Sequence, residues 1–474
     1  MQLATNTQKI AFNTVIQIIG KVITTAIAIV MLAYLARYLG VEGYGDYTTI
    51  FAFLGFFAII ADMGFYTVAV REMSKNPDKS SDIMGNIFSL RIVFALIFLA
   101  LAPLIGWLIP AYDVGVQIGV LIGTLSSFFI LSNQLVVSVF QANLRMDRLV
   151  ISDIIARIIL FCFVMLFIFL KLSLAYFVLA HVVANFVLFI ISFLMSREFL
   201  IFNLRFDYDY WKYILKEAIP LGVIIVLGLI YFKIDTIMLS VMKGSEAVGI
   251  YGAPYKILEI LITIPAMFMG SVFPIISRYI QGGSEKVEDS FRKSFDFMSI
   301  LSFPFLVGLF VLARPLVLLV LGNEFMNSVL VLQYLMFAVT IIFFGTIMGY
   351  FITAANLQKK LVWVYIVSVL VNVVGNFILI PRYSYIGASI ATIFTEGLVC
   401  LLAFNVIYKY LKIFPRFNIF FKSILSSLLM GVILTLLFGW NLFLLIIIGG
   451  TVYFAVLYII GGLNKEIIKQ VLIK

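Results

Sequence analysis

From Ile10 to Gly462 the chain is little other than long apolar runs divided by short polar breaks. A helix needs about 20 apolar residues to cross the hydrocarbon of a bilayer. Runs of that length fall near 10–36, 47–70, 84–109, 115–141, 149–170, 173–195, 214–241, 248–277, 296–320, 327–354, 361–380, 386–408, 419–438 and 441–462. Apart from the stretch Ser196–Lys216, no break leaves room for a soluble domain. Of the 474 residues, 64% are hydrophobic and 12% charged, with a mean hydropathy of +1.16. A soluble domain carries about a quarter charged residues, so this pattern predicts an all-α polytopic membrane protein of about fourteen spans.

The charge is organised by topology. The net charge is +10 and the pI about 9.3. Twenty-three of the 33 Lys and Arg lie in alternate breaks or in the tails, among them Arg71, Lys75, Arg145, Arg148, Arg278, Lys286, Arg292, Lys409 and Lys412. The opposite breaks hold four: Arg37, Lys171, Lys243 and Arg382. That asymmetry places the basic side in the cytoplasm. It predicts a multi-pass plasma-membrane protein with both termini cytoplasmic, and it removes nucleic acid as the reason for the basicity. The N-terminal sequence reads as the start of a span, not as a cleaved signal. Cys162 and Cys400 both lie in apolar runs and suit neither a disulfide nor a metal site.

An internal repeat sharpens the fold. Leu39–Tyr47 reads LGVEGYGDY and Lys243–Tyr251 reads KGSEAVGIY, so Glu42, Gly45 and Tyr47 fall on Glu246, Gly249 and Tyr251 at an offset of 204. ADMGFYTVAVR, ending at Arg71, echoes MFMGSVFPIISR, ending at Arg278. The ANL at Ala142–Leu144 recurs at Ala355–Leu357, an offset of 213. Each copy holds six spans, and six is even, so both copies enter the membrane in one orientation. The expected fold is two parallel six-helix lobes related by a pseudo-two-fold along the membrane normal, plus two C-terminal helices. The predicted boundaries are 1–196 for the first lobe, 197–213 for a cytoplasmic interlobe linker, 214–412 for the second lobe, and 413–474 for the last two spans and the tail. The linker's mix of aromatic and charged residues predicts an amphipathic element on the cytoplasmic surface.

Ionisable residues inside spans are expensive and mark candidate pathways. Lys21 is the leading one, deep in the first span with Asn13 and Gln17 roughly on its face; its bland alternative is a pair with Asp62 or Asp46. Arg157 follows Asp153 by four residues and Lys256 precedes Glu259 by three, so each pair can close on its own helix or line a pathway. Arg91 lies nearer the cytoplasmic end and can snorkel. Lys233 and Asp235, two apart, do not face each other, and each needs a partner elsewhere. Asp62 suits a coupling Na⁺ or H⁺, or neutralises Lys21. His181 reads as a packing residue, Arg314 as a mark of a kink, and Asn372/Asn376 as helix–helix glue. Pro220, Pro265, Pro274, Pro304 and Pro315 crowd into the second copy and suit helices that bend. There is no phosphate-cradling GxxxxGK[ST] loop and no HExxH, so the chain reads as a transporter without cofactors and not as an enzyme.

The segments Asn13–Tyr47 and Ile219–Glu259, together with ADMGFYTVAVREM and IPAMFMGSVFPIISR, resemble the polysaccharide-transporter branch of the multidrug/oligosaccharidyl-lipid/polysaccharide flippase superfamily. The resemblance covers essentially the whole chain. It implies a fourteen-helix transporter that moves a polyprenyl-linked oligosaccharide to the outer leaflet by alternating access, often driven by an ion gradient. The partners it implies are the lipid-linked oligosaccharide, membrane lipids, and the glycosyltransferases and polymerase of the same pathway; a monomer is expected. It carries no short catalytic signature, so the cationic set Lys21, Arg91, Arg157, Lys233 and Lys256 rests on depth and charge alone. The alternatives are a cation-coupled multidrug exporter on the same fold, a murein-precursor flippase, and a polytopic glycosyltransferase or polymerase. The last usually needs a large outside loop that this chain lacks.

Overall fold

A computed structural model describes residues 6–200, 202–282 and 286–463. Among them every regular element is helical. The chain divides into two compact units, residues 1–249 and 250–474.

The first unit contains α1 (Asn6–Asp62), α2 (Phe65–Lys75), α3 (Ser80–Leu108), α4 (Val114–Ala142), α5 (Met146–Phe169), α6 (Leu174–Ser196), α7 (Tyr208–Lys243) and the start of α8 (Ser245–Leu261). At 1.5 Å per residue the 57 residues of α1 would run about 85 Å, nearly three hydrocarbon thicknesses. The helix breaks at Gly40 (φ 67°, ψ −175°), a conformation that a Cβ disfavours. Its first arm shows its face pattern clearly. Asn13, Gly20, Thr24, Met31 and Leu35 are buried, and Gly20 sits directly on Val150 of α5. Asn13 fixes the α4–α5 turn by donating to the Leu144 carbonyl at 2.7 Å and accepting from the Met146 amide at 3.1 Å.

The second predicted span, 47–70, is interrupted. Met63 and Gly64 both have positive φ (43° and 81°), and α2 starts anew at Phe65. Phe65, Val68 and Met73 of α2 then pack with Ile83, Met84 and Ile87 of α3 and with Leu135 and Val139 of α4. Asp113 caps α4 through the Val116 amide at 2.7 Å, which satisfies an orphan donor that lipid cannot. The expected linker, 197–213, divides into a non-helical strap over 202–207 and the first turns of α7 from Tyr208. Arg205 pairs with Asp82 at 2.8 Å, the Asp207 amide donates to Asn86 at 3.0 Å, and Ser89 donates to the Arg205 carbonyl. Gly85 lets the Asn203 backbone lie against α3, where any side chain would collide with that carbonyl. The Asp207 carboxylate then caps α7 by accepting from the Asp209 and Tyr210 amides, both at 3.1 Å.

The second unit continues α8 and adds α9 (Thr263–Gln281), α10 (Lys286–Val311), α11 (Ala313–Val320), α12 (Ser328–Ala354), α13 (Gln358–Leu411), α14 (Asn418–Leu436) and α15 (Leu442–Ile459). The 54-residue α13 is likewise two helices, joined at Ser384 (φ 50°, ψ −131°). Pro220, Pro274 and Pro304 lie inside α7, α9 and α10 as expected, and Pro103, Pro254 and Pro381 add further helix-interior prolines. The last two helices dock on α10 through Met430, Leu434, Tyr453 and Leu457. The Tyr453 hydroxyl donates to the Ile300 carbonyl at 2.7 Å.

Eleven helices among the described residues are long and apolar enough to cross a membrane, or twelve when the two halves of α7, bent by 49°, count as one. The protein is therefore an all-α, multi-pass membrane protein. The backbone also repeats where the sequence does. Gly40 and Gly244 share one conformation (φ 67° and 81°, ψ −175° in both) at the 204-residue offset. Lys171 and Ser384, with φ of 54° and 50°, stand at the 213-residue offset.

Candidate functional site

The intramembrane charges sort into three kinds. Arg91 on α3 is the most enclosed, 2% exposed, and its guanidinium pairs with Asp62 at 2.5 Å and donates to Gln134 of α4 at 2.6 Å. Burying two ions is costly unless they meet each other closely, and these do. Asp62, at the end of α1, is therefore engaged by Arg91 and not by Lys21, and Arg91 does not snorkel to the surface. The sequence held no sign of this pairing, because the two residues stand on separate helices. Its third member, Gln134, lies two turns before Gln141, which accepts the Tyr66 hydroxyl. Two glutamines seven residues apart in an apolar run were the available signal.

Arg157 and Asp153 approach to 3.8 Å, with both side chains about 40% exposed. A pair so loose contributes little and leaves the guanidinium available. Lys256 and Glu259 meet at 2.7 Å on α8, as their spacing predicts. Lys233 is half-buried and Asp235 buried on α7, and both are engaged in interactions.

Lys21 stands apart. It is exposed, and among the described residues no carboxylate lies within ion-pair distance of it. Its position on α1 is informative. Gln17, Lys21 and Thr25 recur every four residues and so share one strip of the helix. Ile18, Val22 and Ile29, exposed by 41%, 63% and 41%, form a separate apolar strip suited to lipid. Lys21 thus lies between the face packed on α5 and the apolar face, on the polar edge of the arm. Gly20 seated on Val150 holds it there.

The repeated tyrosines are also placed alike. Tyr47 shares a hydrogen bond with His181 of α6 at 2.7 Å, and Tyr251 shares one with Thr392 of α13 at 3.2 Å. His181 is packed against Phe51 as well, with ring centroids 4.5 Å apart, in keeping with a packing role. In the second unit, Asn376 donates to Asn372 at 3.0 Å, and both are buried as expected of helix glue. Among the described residues no group of three or more His, Cys, Asp or Glu could hold a metal ion.

Residues 10–280 match the family of polysaccharide biosynthesis proteins, and residues 220–378 match the MatE family. The first match covers more than half of the chain: the chain belongs to the polysaccharide biosynthesis protein family. Its fold is also like that of a multidrug resistance MATE family transporter described as of the MOP superfamily, in an inward-facing conformation, with a TM-score of 0.65 and 13% identity over 84% of this chain and 99% of that one. Among curated proteins it is 24% identical over 254 residues to the probable flippase AglR of Haloferax volcanii, spanning 53% of that relative's length and 51% of this chain. It is 23% identical to the probable low-salt glycan biosynthesis flippase Agl15 of the same organism, over 85% of this chain and 84% of that one. Among solved structures it resembles the lipid II flippase MurJ in an inward closed conformation, with a TM-score of 0.77 and 15% identity over 98% of this chain and 100% of that one. At that identity the likeness speaks for the fold.

Proposed function

We propose that this protein is a secondary transporter that carries a polyprenyl-(pyro)phosphate-linked oligosaccharide across the cytoplasmic membrane by alternating access, for export of a cell-surface polysaccharide or glycan. The observation that carries the reading is the family match over residues 10–280, joined to a relative described as a probable low-salt glycan biosynthesis flippase over 85% of the chain. The physics agrees with it. A head group bearing sugars and phosphate cannot cross hydrocarbon without a large desolvation cost. A polar pathway with an available ammonium lowers that cost, and Lys21 is the residue best placed to meet the phosphate. Arg157, Lys233 and Lys256 are assigned supporting roles. Arg91, locked to Asp62, serves the first lobe as a structural cation.

The same reading covers the finer architecture. Counting the two arms of α1 and of α13 as separate crossings gives fourteen spans. Two six-span repeats, 1–196 and 214–412, then flank the linker 197–213 and precede the pair in 413–474. The matched backbone at Gly40/Gly244 and Lys171/Ser384 supports two parallel repeats about a pseudo-two-fold. Even span number puts both termini on the cytoplasmic side. The protein works as a monomer in the plasma membrane, and the glycosyltransferases and polymerase of its pathway are its functional partners. We assign coupling to Na⁺ or H⁺ to Asp235 on α7, on the ground of its burial within a span.

The MatE match over 220–378 supports a second reading, a cation-coupled multidrug exporter. Such an exporter needs a pathway attractive to cations, which the available ammonium of Lys21 opposes. The two are separated by native mass spectrometry of the purified protein with polyprenyl diphosphate and with a cationic dye. Retention of the lipid, reduced at least tenfold by Lys21→Ala, is the expected result, and retention of the dye alone rejects the flippase. For coupling, vesicle transport should respond to a Na⁺ or pH gradient and lose that response in Asp235→Asn. Indifference of the unmodified protein to both gradients would remove the role.

A further inference from the structure

The two copies of the repeated motif meet each other inside the first compact unit. A Cβ on Gly45 would overlap the Ser245 carbonyl oxygen and lie 2.6 Å from its carbon and 3.0 Å from the Gly249 amide nitrogen. A Cβ on Gly249 would overlap the Val41 carbonyl oxygen and lie 2.9 Å from its carbon. By the 204-residue offset, Gly45 corresponds to Gly249 and Val41 to Ser245. Each glycine therefore presses on the carbonyl four residues before the other's position. That is an isologous contact, in which residue i meets j while the equivalent of i meets the equivalent of j. Only hydrogen fits at either position.

We infer that this reciprocal glycine contact is a latch, closed in the present conformation, that parts whenever the transport pathway opens toward the outside. The inference rests on the alternating-access reading and on the charge asymmetry that places the 37–47 and 243–249 breaks outward. Three features fit a contact that opens repeatedly. It is made mainly by backbone against backbone, and such small-residue interfaces are held by dispersion and weak Cα–H···O contacts. A side-chain hydrogen bond joins Ser245 and Asp46 across it. Each glycine also stands five residues after a helix break, at Gly40 and Gly244, where positive φ provides a point of rotation. Two residues beyond each glycine, Tyr47 and Tyr251 tie the motif to α6 and to α13 respectively. Each copy is thus anchored to a late helix of its own repeat and can move with it.

Glu42 and Glu246, equivalent under the offset and both exposed, are natural reporter positions. In a background with Cys162→Ser and Cys400→Ser, spin labels on Glu42→Cys and Glu246→Cys report their separation in lipid nanodiscs by pulsed dipolar spectroscopy. The native-glycine protein should give a dominant short distance. Gly45→Ala and Gly249→Ala should each shift the distribution to longer distances. Gly55→Ala, on the same arm with nothing within 4 Å of its Cβ, should leave it unchanged. An unchanged distribution in both folded latch variants overturns the proposal.

Where the alanine variants do not fold, the native-glycine reporter is linked with a short bis-maleimide. It is then assayed in proteoliposomes with a fluorescent polyprenyl-diphosphate oligosaccharide. Linked protein should lose transport while unlinked protein keeps it, and equal transport by both overturns the latch. If unlinked protein moves no probe, the substrate reading fails, and the latch is judged by whether the native-glycine distribution gains a long-distance population across lipid and pH conditions. A single invariant short distance there overturns it.

Discussion

Arg91 and Lys21 are both cations in an apolar helix, yet the structure gives them opposite circumstances. Arg91 is enclosed and bonded to Asp62 and Gln134; Lys21 is exposed on the polar edge of its helix. Removing one partner of a buried pair leaves the other charged and unpaired, which costs about 3–5 kcal/mol. Arg91→Met should therefore lower thermal stability in detergent strongly, and Asp62→Asn added to it should recover part of the loss. A melting temperature unmoved by Arg91→Met would show that the pair stabilises nothing. The difference between the two residues was half legible in the sequence. Lying within a span marked both as costly; depth and the neighbouring Gln17 singled out Lys21, while Arg91 read as able to snorkel. The Arg91–Asp62 pairing was not legible, because it depends on how α3 packs beside the end of α1.

At the scale of elements, the sequence marked where helices turn better than where they break. The polar breaks carrying Gly40 and Gly244 stood out as repeated motifs. The interruption at Met63–Gly64 did not, since it lies within a continuous apolar run and is set by close packing of Gly64 on Leu221 and of Gly222 on the Met63 backbone. The linker shows the converse. Its composition suggested an amphipathic element without fixing its backbone, and Asp82, Asn86 and Ser89 on α3 offer partners to Arg205 and to backbone groups that hold residues 202–207 as a strap. Gly85→Val should push the strap from α3 and free the backbone around Arg205, whose side chain is already exposed. Trypsin added to inside-out vesicles should then cut after Arg205 several-fold faster than in the unmodified protein. Equal rates would mean that Gly85 does not hold the strap.

For the whole molecule, the strongest sign of function is agreement between levels. Alternating charge, long apolar runs, a sequence repeat with two offsets and the same two offsets in backbone geometry all agree with the duplicated transporter we propose, and consistency of that kind is what a specified fold produces. The family match over residues 10–280 is the ground on which we propose a lipid-linked glycan over a drug as cargo. The most direct test is translocation of a fluorescent polyprenyl-diphosphate oligosaccharide in proteoliposomes, followed by loss of fluorescence to an impermeant quencher. The account predicts that the unmodified protein flips the lipid, that well-folded Lys21→Ala does not, and that neither moves a cationic dye. Dye transport without lipid transport, or undiminished flipping by Lys21→Ala, would contradict it.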